Sequence, residues 1–162
     1  MQQSSKNTKV IVMGDSAGGW LAIQMASQRS HQIYSTILLY PLVEYDTLKF
    51  ESANKFGVAY WYLLDREFIL WIQRNTHSDA HEVRGMELNY TKFPKTLLLL
   101  TREDVLYDEG KLLEQRLIQY DVNVNVKEYD AHHGAFSYPI ALFFRKAHNQ
   151  MYEDILNWVL QE

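Results

Sequence analysis

The chain has 162 residues, of which 47% are hydrophobic and 22% charged, a composition typical of one globular domain. Its formal net charge of −4 offers no basic surface, which argues against nucleic-acid binding. The absence of cysteine excludes disulfide scaffolds, thiol catalysis and cysteine-ligated zinc. The apolar runs are far shorter than the roughly 20 residues that cross a bilayer, so no membrane segment is predicted in this chain.

Four segments have the pattern of β-strands. Residues 10–13 are a short apolar run that ends at Gly14 and predicts a strand buried on both faces. Residues 34–40 and 95–101 are two further apolar runs with β-strand character. Residues 123–129 alternate in part between polar and apolar side chains, as an outer strand does.

Helices are predicted between and after these strands. Residues 16–28 are rich in helix formers and carry apolar side chains on most faces, so this helix is expected to be well buried. Residues 108–120 carry one apolar stripe, and residues 138–160 form the last helix, with Pro139 in its first turn. The stripe of the last helix consists of Phe144, Ala147, Met151, Ile155 and Trp158. This alternation predicts the α/β class, with a mostly parallel sheet of about four strands and helices on both faces.

An aromatic-rich insert at about residues 43–93 separates the second strand from the third. Residues 65–75 within it have the spacing of a helix, and its aromatic side chains suit both core packing and an apolar substrate pocket. A cluster of acidic and imidazole side chains lacks the H-E-x-x-H spacing, so a solvated loop is favoured there and no metal site is predicted. That cluster consists of His77, Asp79, His81 and Glu82. With neither an internal repeat nor a dividing linker, residues 1–162 are predicted to form a single domain.

The pentapeptide GDSAG at residues 14–18 fits the pattern G-x-S-x-G of a nucleophile elbow. In such an elbow a strand turns sharply into a helix and exposes a strained serine, here Ser16. Gly14 and Gly18 are expected because a side chain at either position would clash with nearby backbone. The amide of Ala17, at the start of the helix, is the expected oxyanion donor. A phosphate-binding turn is the alternative, but the glycine spacing G-x-G-x-x-G and a Lys-Ser/Thr pair are absent.

An activated serine requires a base, and the base requires an acid that orients it. Asp104 follows the third predicted strand, and His133 follows the fourth. Because parallel strands point their carboxyl ends to one edge of the sheet, we expect Ser16, Asp104 and His133 to meet at that edge.

Neighbouring residues compete for two of these roles. His132 is the alternative base, and Glu103 and Asp108 are the alternative acids. Asp108 is expected instead to cap the helix that follows it, and Glu109 to favour the positive end of that helix.

Three segments together resemble the hormone-sensitive-lipase group of α/β-hydrolases. GDSAGG at residues 14–19, which includes Asp15 and Gly19, is similar to the nucleophile motif of that group. DVLYDEG at residues 104–110 resembles its D-x-L-x-D-E-G segment, and HGAF at residues 133–136 resembles its H-G-x-x segment. The likeness is greatest to the arylacetamide deacetylases, and it corresponds to the C-terminal part of their fold.

The resemblance implies a serine ester hydrolase with Ser16 as nucleophile, Asp104 as acid and His133 as base. The implied substrate is a small apolar ester or aryl amide, and the reaction needs no cofactor. A truncated α/β-hydrolase fold is also implied, because the oxyanion loop and half of the strands of the family lie upstream of the nucleophile strand. Without that loop the activity is expected to be weakened or lost, since one oxyanion donor is typically worth about 10²–10³ in rate.

A nucleophile strand without its upstream neighbour would lie at the edge of the sheet, where another chain can pair with it. The alternative function is therefore a non-catalytic binding or regulatory module that associates through this strand. Its partner would be a second copy of the chain or a missing N-terminal half. Because residues 1–9 carry no secretory signal, the chain as written is predicted to be cytoplasmic. The resemblance implies the endoplasmic reticulum if an N-terminal anchor is missing.

Overall fold

The structure, a computed structural model, describes residues 8–44, 46–57, 64–75 and 85–161. In this part of the chain four parallel strands form one sheet, and their order across the sheet is their order along the chain. The strands are β1 (Ile11–Asp15), β2 (Ser35–Leu39), β3 (Lys95–Glu103) and β4 (Val124–His132). The helices are α1 (Ala17–Gln28), α2 (Glu51–Phe56), α3 (Arg66–Asn75), α4 (Tyr107–Gln119) and α5 (Arg145–Leu160). The predicted α/β class and the sheet of four strands are confirmed.

Alternate side chains of the sheet enter two apolar clusters, one on each face. Leu38 and Leu98 pack on one face with α1 and α4. Leu39 and Leu99 pack on the other face with α5, whose predicted stripe contacts that cluster. Burial of one leucine side chain contributes roughly 1.5–3 kcal/mol, so β2 and β3 form the most stable part of the sheet.

The strand before the nucleophile motif lies at an edge of the described sheet, as the comparison with the full family fold predicts. β1 pairs with β2 through the register from Ile11 to Asp15. Val10 and Met13 remain 46% and 44% exposed. The expectation of a strand buried on both faces is therefore wrong for the described chain, because β1 is an edge strand and Met13 lies outside both apolar clusters that cover the sheet. β4 lies at the opposite edge, which confirms its prediction as an outer strand.

Two expectations about helices need correction. α1 buries Trp20 and Ile23 but leaves Leu21 66% exposed and Met25 53% exposed, because it packs on the sheet with one face only. The last helix begins at Arg145 rather than near residue 138. A separate 3₁₀ turn at Ile140–Leu142 precedes it, and Phe144 has the non-helical angles φ −116° and ψ 41°.

The insert is partly described. Its predicted helix at residues 65–75 is confirmed as α3, and α2 precedes it. Ala53 of α2 and Ile69 of α3 join Val105 and Leu106 in a third apolar cluster, which packs the insert against the loop after β3. The acidic and imidazole cluster at residues 77–82 lies outside the described residues. No described helix is long and apolar enough to cross a membrane.

Candidate active site

Ser16 lies between the end of β1 and the start of α1, in a strained backbone conformation. Its backbone angles are φ 53° and ψ −122°, in a region that residues other than glycine rarely adopt. Two backbone hydrogen bonds hold it there. The Ser16 amide donates to the Leu39 carbonyl at 3.0 Å, and the Leu42 amide donates to the Ser16 carbonyl at 2.9 Å. The conformation of the turn is therefore stabilised by the end of the neighbouring strand β2 and by the residues after it, as well as by the turn motif itself.

Two positions of the turn, Gly14 and Gly19, have no room for a side chain, and only Gly14 was expected to be so restricted. A Cβ at Gly14 would lie 2.1 Å from the Gly18 carbonyl oxygen, so no side chain fits there. A Cβ at Gly18 would meet only Asp15 Oδ1, at an ordinary 3.7 Å. The expectation of a clash at Gly18 is thus wrong for the described residues. The second close approach is at Gly19, where a Cβ would lie 2.6 Å from Pro41 Cβ.

The side chains of Ser16, His133 and Asp104 form a continuous hydrogen-bonded chain. His133 Nε2 lies 2.9 Å from Ser16 Oγ, and His133 Nδ1 lies 2.9 Å from Asp104 Oδ2. Both His133 and Asp104 are buried. Because an ionised carboxylate only accepts hydrogen bonds, Nδ1 carries the ring proton and Nε2 is free to accept the serine hydroxyl proton. This arrangement can deprotonate an alcohol as it attacks a carbonyl carbon.

Each of these three residues is the first one after a strand. Ser16 follows β1, Asp104 follows β3 and His133 follows β4. Parallel strands bring their carboxyl ends to one edge, and the three loops therefore meet there, as expected from the sequence. The residues lie far apart in the chain, so it is the parallel topology that brings them together.

Two further bonds orient the carboxylate of Asp104. Thr101 Oγ1 donates to Oδ2 at 2.7 Å, and the Leu106 amide donates to Oδ1 at 2.8 Å. With the carboxylate fixed in this way, its remaining acceptor positions face His133. Sequence reasoning missed Thr101, for which the only available signal is its position three residues before the candidate acid.

The loop after β4, residues 133–137, has local backbone hydrogen bonds, and side chains join it to other elements. Ser137 Oγ donates to Asp15 Oδ2 at 3.1 Å, which ties this loop to the nucleophile turn. On its other side, the ring nitrogen His148 Nδ1 of α5 lies 3.1 Å from the Phe136 carbonyl oxygen. Neither Ser137 nor His148 was predicted from the sequence, because both contacts join segments that are distant in the chain.

The first amide of α1 belongs to Ala17, next to Ser16. An amide at this position has no partner within its own helix, and the helix dipole favours negative charge beside it. Ala17 is exposed, so a developing oxyanion on a molecule at Ser16 could reach it. The geometry thus offers one donor at the expected position.

The sequence matches, over residues 1–137, a family model described as the alpha/beta hydrolase fold. The chain belongs to the α/β-hydrolase family. A comparison with curated proteins gives no match.

Several solved esterases have similar structures. A hyperthermophilic esterase from the archaeon Pyrobaculum calidifontis is 25% identical with a TM-score of 0.80, over 94% of this chain and 54% of that one. EstE1, a thermostable carboxylesterase from a metagenomic library, is 25% identical with a TM-score of 0.73, over 88% and 52%. A fungal esterase from Rhizomucor miehei is 22% identical with a TM-score of 0.76, over 96% and 50%, and shows the fold alone. This α/β-hydrolase chain spans about half the length of the solved esterases that it matches.

The alternative residues at this site have other partners. His132 Nε2 pairs with Glu103 Oε2 at 3.3 Å, away from Ser16. Asp108 Oδ2 accepts the Ser52 amide at 2.7 Å, in the first turn of α2. The expectation that Asp108 caps its own helix is wrong, because α4 already begins at Tyr107 and Asp108 points to the insert.

Glu109 lies in the first turn of α4 of this α/β-hydrolase, as expected, and its side chain makes further contacts. Its side chain is fully buried, and Oε2 accepts the amides of Val43 at 2.6 Å and Glu44 at 2.8 Å. Burial is the largest influence on this carboxyl, and it raises the pKa to about 8, although the two amides lower it. Glu109 therefore joins α4 to the segment after β2 that also bonds to Ser16.

Proposed function

We propose that this α/β-hydrolase is a serine ester hydrolase in which Ser16 is the nucleophile, His133 the base and Asp104 the acid. The observation that carries the proposal is the chain of hydrogen bonds from Ser16 Oγ through both ring nitrogens of His133 to the carboxylate of Asp104. The esterase names of its structural neighbours support the same reaction class.

Acylation follows from this geometry. His133 Nε2 accepts the hydroxyl proton as Ser16 Oγ attacks the carbonyl carbon of the substrate. Asp104 keeps the imidazole in the required tautomer and stabilises its positive charge. The tetrahedral intermediate collapses when His133 returns the proton to the leaving alcohol or amine, and the acyl group stays on Ser16.

Deacylation repeats the same proton transfers with water. His133 removes a proton from a water molecule, which attacks the acyl carbon, and then returns the proton to Ser16 Oγ. The Ala17 amide stabilises the oxyanion in both steps. The family resemblance would place a further donor on a loop upstream of β1, and one such donor is typically worth about 10²–10³ in rate.

The substrate class of the proposal comes from the resemblance of three motifs to the hormone-sensitive-lipase group and to arylacetamide deacetylases. Small apolar esters and aryl amides are the substrates that this resemblance implies. No metal or organic cofactor takes part in the proposed steps.

Covalent labelling with a fluorophosphonate tests the proposal directly, because the reagent reacts with an activated serine and needs no matched substrate. We expect the folded chain to be labelled and Ser16→Ala to remain unlabelled. Ser27→Ala is a matched control and should be labelled normally, since Ser27 Oγ donates to the Gln24 carbonyl of its own helix. A folded chain that stays unlabelled, or equal labelling of Ser16→Ala, would contradict the proposal.

A non-catalytic module that associates through β1 is the second candidate, and the exposed edge favours it. Val10 and Met13 of this edge and Leu21 and Met25 of α1 are large apolar side chains that the described chain leaves exposed. Light scattering after size exclusion separates the two candidates. An unlabelled dimer that becomes monomeric with Met13→Lys would favour the module, and a labelled monomer would exclude it.

A further inference from the structure

Three of the four strands are followed directly by a residue of the proposed triad, and β2 is followed by Tyr40. Tyr40 has a φ of 33°, a left-handed value that few bulky residues adopt. The next residue is Pro41, which normally restricts the residue before it to extended backbone. Strained residues persist where their surroundings hold them, and they cluster at functional sites.

Backbone contacts on both sides hold Tyr40 in this conformation. Its amide donates to the Leu99 carbonyl of β3 at 2.7 Å. The preceding residue, Leu39, accepts the Ser16 amide, and Leu42 donates to the Ser16 carbonyl. The backbone of Tyr40 is therefore fixed between the middle of β3 and the nucleophile turn, which sets the direction of its Cα–Cβ bond.

The direction imposed on Tyr40 brings its ring against the imidazole of His133. The two ring centroids are 5.0 Å apart with an interplanar angle of 64°, in an edge-to-face arrangement. Tyr40 is only 2% exposed, so this contact lies inside the protein.

Both hydrogen bonds of His133 form only when its side chain lies in one orientation. Nδ1 must face Asp104 while Nε2 faces Ser16. Rotation about the Cα–Cβ or Cβ–Cγ bond would move both nitrogens away from these partners. Packing against the ring limits this rotation, and Tyr40, directly after β2, supplies such packing.

The contact does not depend on charge. Burial is the main reason that the pKa of Tyr40 is raised to about 12; the neighbouring Ser137 side chain and Phe136 backbone lower it, and the charges of Asp15 and Asp104 raise it. The phenol therefore stays neutral at any pH at which a histidine can act as a base. Its influence on His133 is the shape and quadrupole of the ring, which phenylalanine would retain.

We propose that Tyr40 is a positioning residue that holds the His133 side chain in the orientation in which Nδ1 faces Asp104 and Nε2 faces Ser16. Its catalytic consequence rests on the proposed function, whereas the state of the His133 ring can be measured without any reaction.

The test uses three variants of the whole chain. Tyr40→Leu removes the aromatic ring, and Tyr40→Phe keeps the ring but removes the hydroxyl. Tyr90→Leu is the matched control, because Tyr90 is also fully buried but its ring contacts Phe93 and Tyr120, away from His133. If Tyr40→Leu does not give a folded spectrum, Tyr40→Met replaces it, because its unbranched and flexible side chain adapts to the space that the ring leaves.

The first measurement is ¹⁵N NMR of the His133 ring, assigned by its loss in His133→Gln. We expect wild type, Tyr40→Phe and Tyr90→Leu to hold a single tautomer with the proton on Nδ1, and Tyr40→Leu to show a mixture of tautomers. The second measurement is the rate of fluorophosphonate labelling of folded protein. It should fall about 10- to 100-fold in Tyr40→Leu and change less than about twofold in the other two.

The outcomes separate the two proposals. Wild-type tautomer and labelling rate in Tyr40→Leu would overturn the role of Tyr40, as would equal losses in Tyr90→Leu. An unlabelled wild type would overturn the proposed function, while the NMR comparison would still decide whether Tyr40 positions the ring.

Discussion

The nucleophile turn at residues 14–19 and the base loop at residues 133–137 face each other across the site, but they are held in different ways. Backbone contacts hold the turn, with bonds to both sides of Ser16 and a close approach at Gly14. The backbone bonds of the base loop are local, and side chains join it to the neighbouring elements, with Ser137 bonded to Asp15 as one of these contacts.

This difference predicts different tolerance to substitution. A backbone contact at a forbidden distance cannot be relieved by repacking of a flexible group, so a change in the turn should affect the whole fold. A single side-chain hydrogen bond contributes only about 0.5–1.5 kcal/mol, so changes in the base loop should be small and separable. The parallel sheet brings both residues to one edge, and the contacts that tie the two segments to other elements differ: backbone bonds for the nucleophile turn and side-chain bonds for the base loop.

Gly14→Ala should have the largest effect. The new Cβ would overlap the Gly18 carbonyl oxygen at 2.1 Å, and we expect a loss of about 4 kcal/mol or more of unfolding free energy. Chemical denaturation measures it. Gly18→Ala is the control and should be neutral or stabilising by about 0.5–1 kcal/mol, because its Cβ fits and alanine favours a helix. Equal losses at the two positions would disprove the steric argument.

Asp104→Asn should reduce the labelling rate by about 10³–10⁴-fold with little change in stability, since an amide no longer selects the tautomer with the proton on Nδ1. The rate of fluorophosphonate labelling measures this effect, and circular dichroism checks the fold. Asp130→Asn is the control, because Asp130 is largely exposed and pairs with Arg102 on the surface. A slow Asp130→Asn or a fast Asp104→Asn would remove Asp104 from the proposed role.

Glu109→Gln tests the buried side chain that supports the turn. The folded pKa of about 8 lies above the ordinary 4.5, so folding favours the protonated form, and this contribution to stability is lost as the pH rises from about 4.5 to 8. Glutamine stays neutral and keeps an oxygen for the Val43 and Glu44 amides. Between pH 5 and pH 9 the variant should gain about 1–3 kcal/mol relative to wild type, as measured by denaturation at each pH. A constant difference across this range would show that Glu109 is ionised throughout.

Ser137→Ala should have the smallest effect, about 1 kcal/mol of stability and a few-fold in labelling rate, through loss of the bond to Asp15. Ser27→Ala removes a local bond within α1 and should leave the labelling rate unchanged. If Ser137→Ala unfolds the protein as Gly14→Ala is expected to, the contrast between the two regions does not hold.

Local patterns were sufficient to predict the four strands, most of the helices and the three residues that meet at the site. Apolar runs and helical spacing indicate which side chains are buried. A residue directly after a parallel strand lies at the edge of the sheet where the carboxyl ends of all the strands meet. The sequence was therefore sufficient to predict that Ser16, Asp104 and His133 lie close together, because residues that follow parallel strands meet at one edge of the sheet.

Contacts between distant segments decided the rest. The second required glycine is Gly19 rather than Gly18 because Pro41, after a different strand, packs against it. Glu109 is buried because the segment after β2 presents two free amides to it. The exposure of α1 and the contact of Tyr40 with His133 likewise depend on which elements lie beside them. No local pattern encodes these distances, because each is set by the packing of elements that only the folded chain brings together.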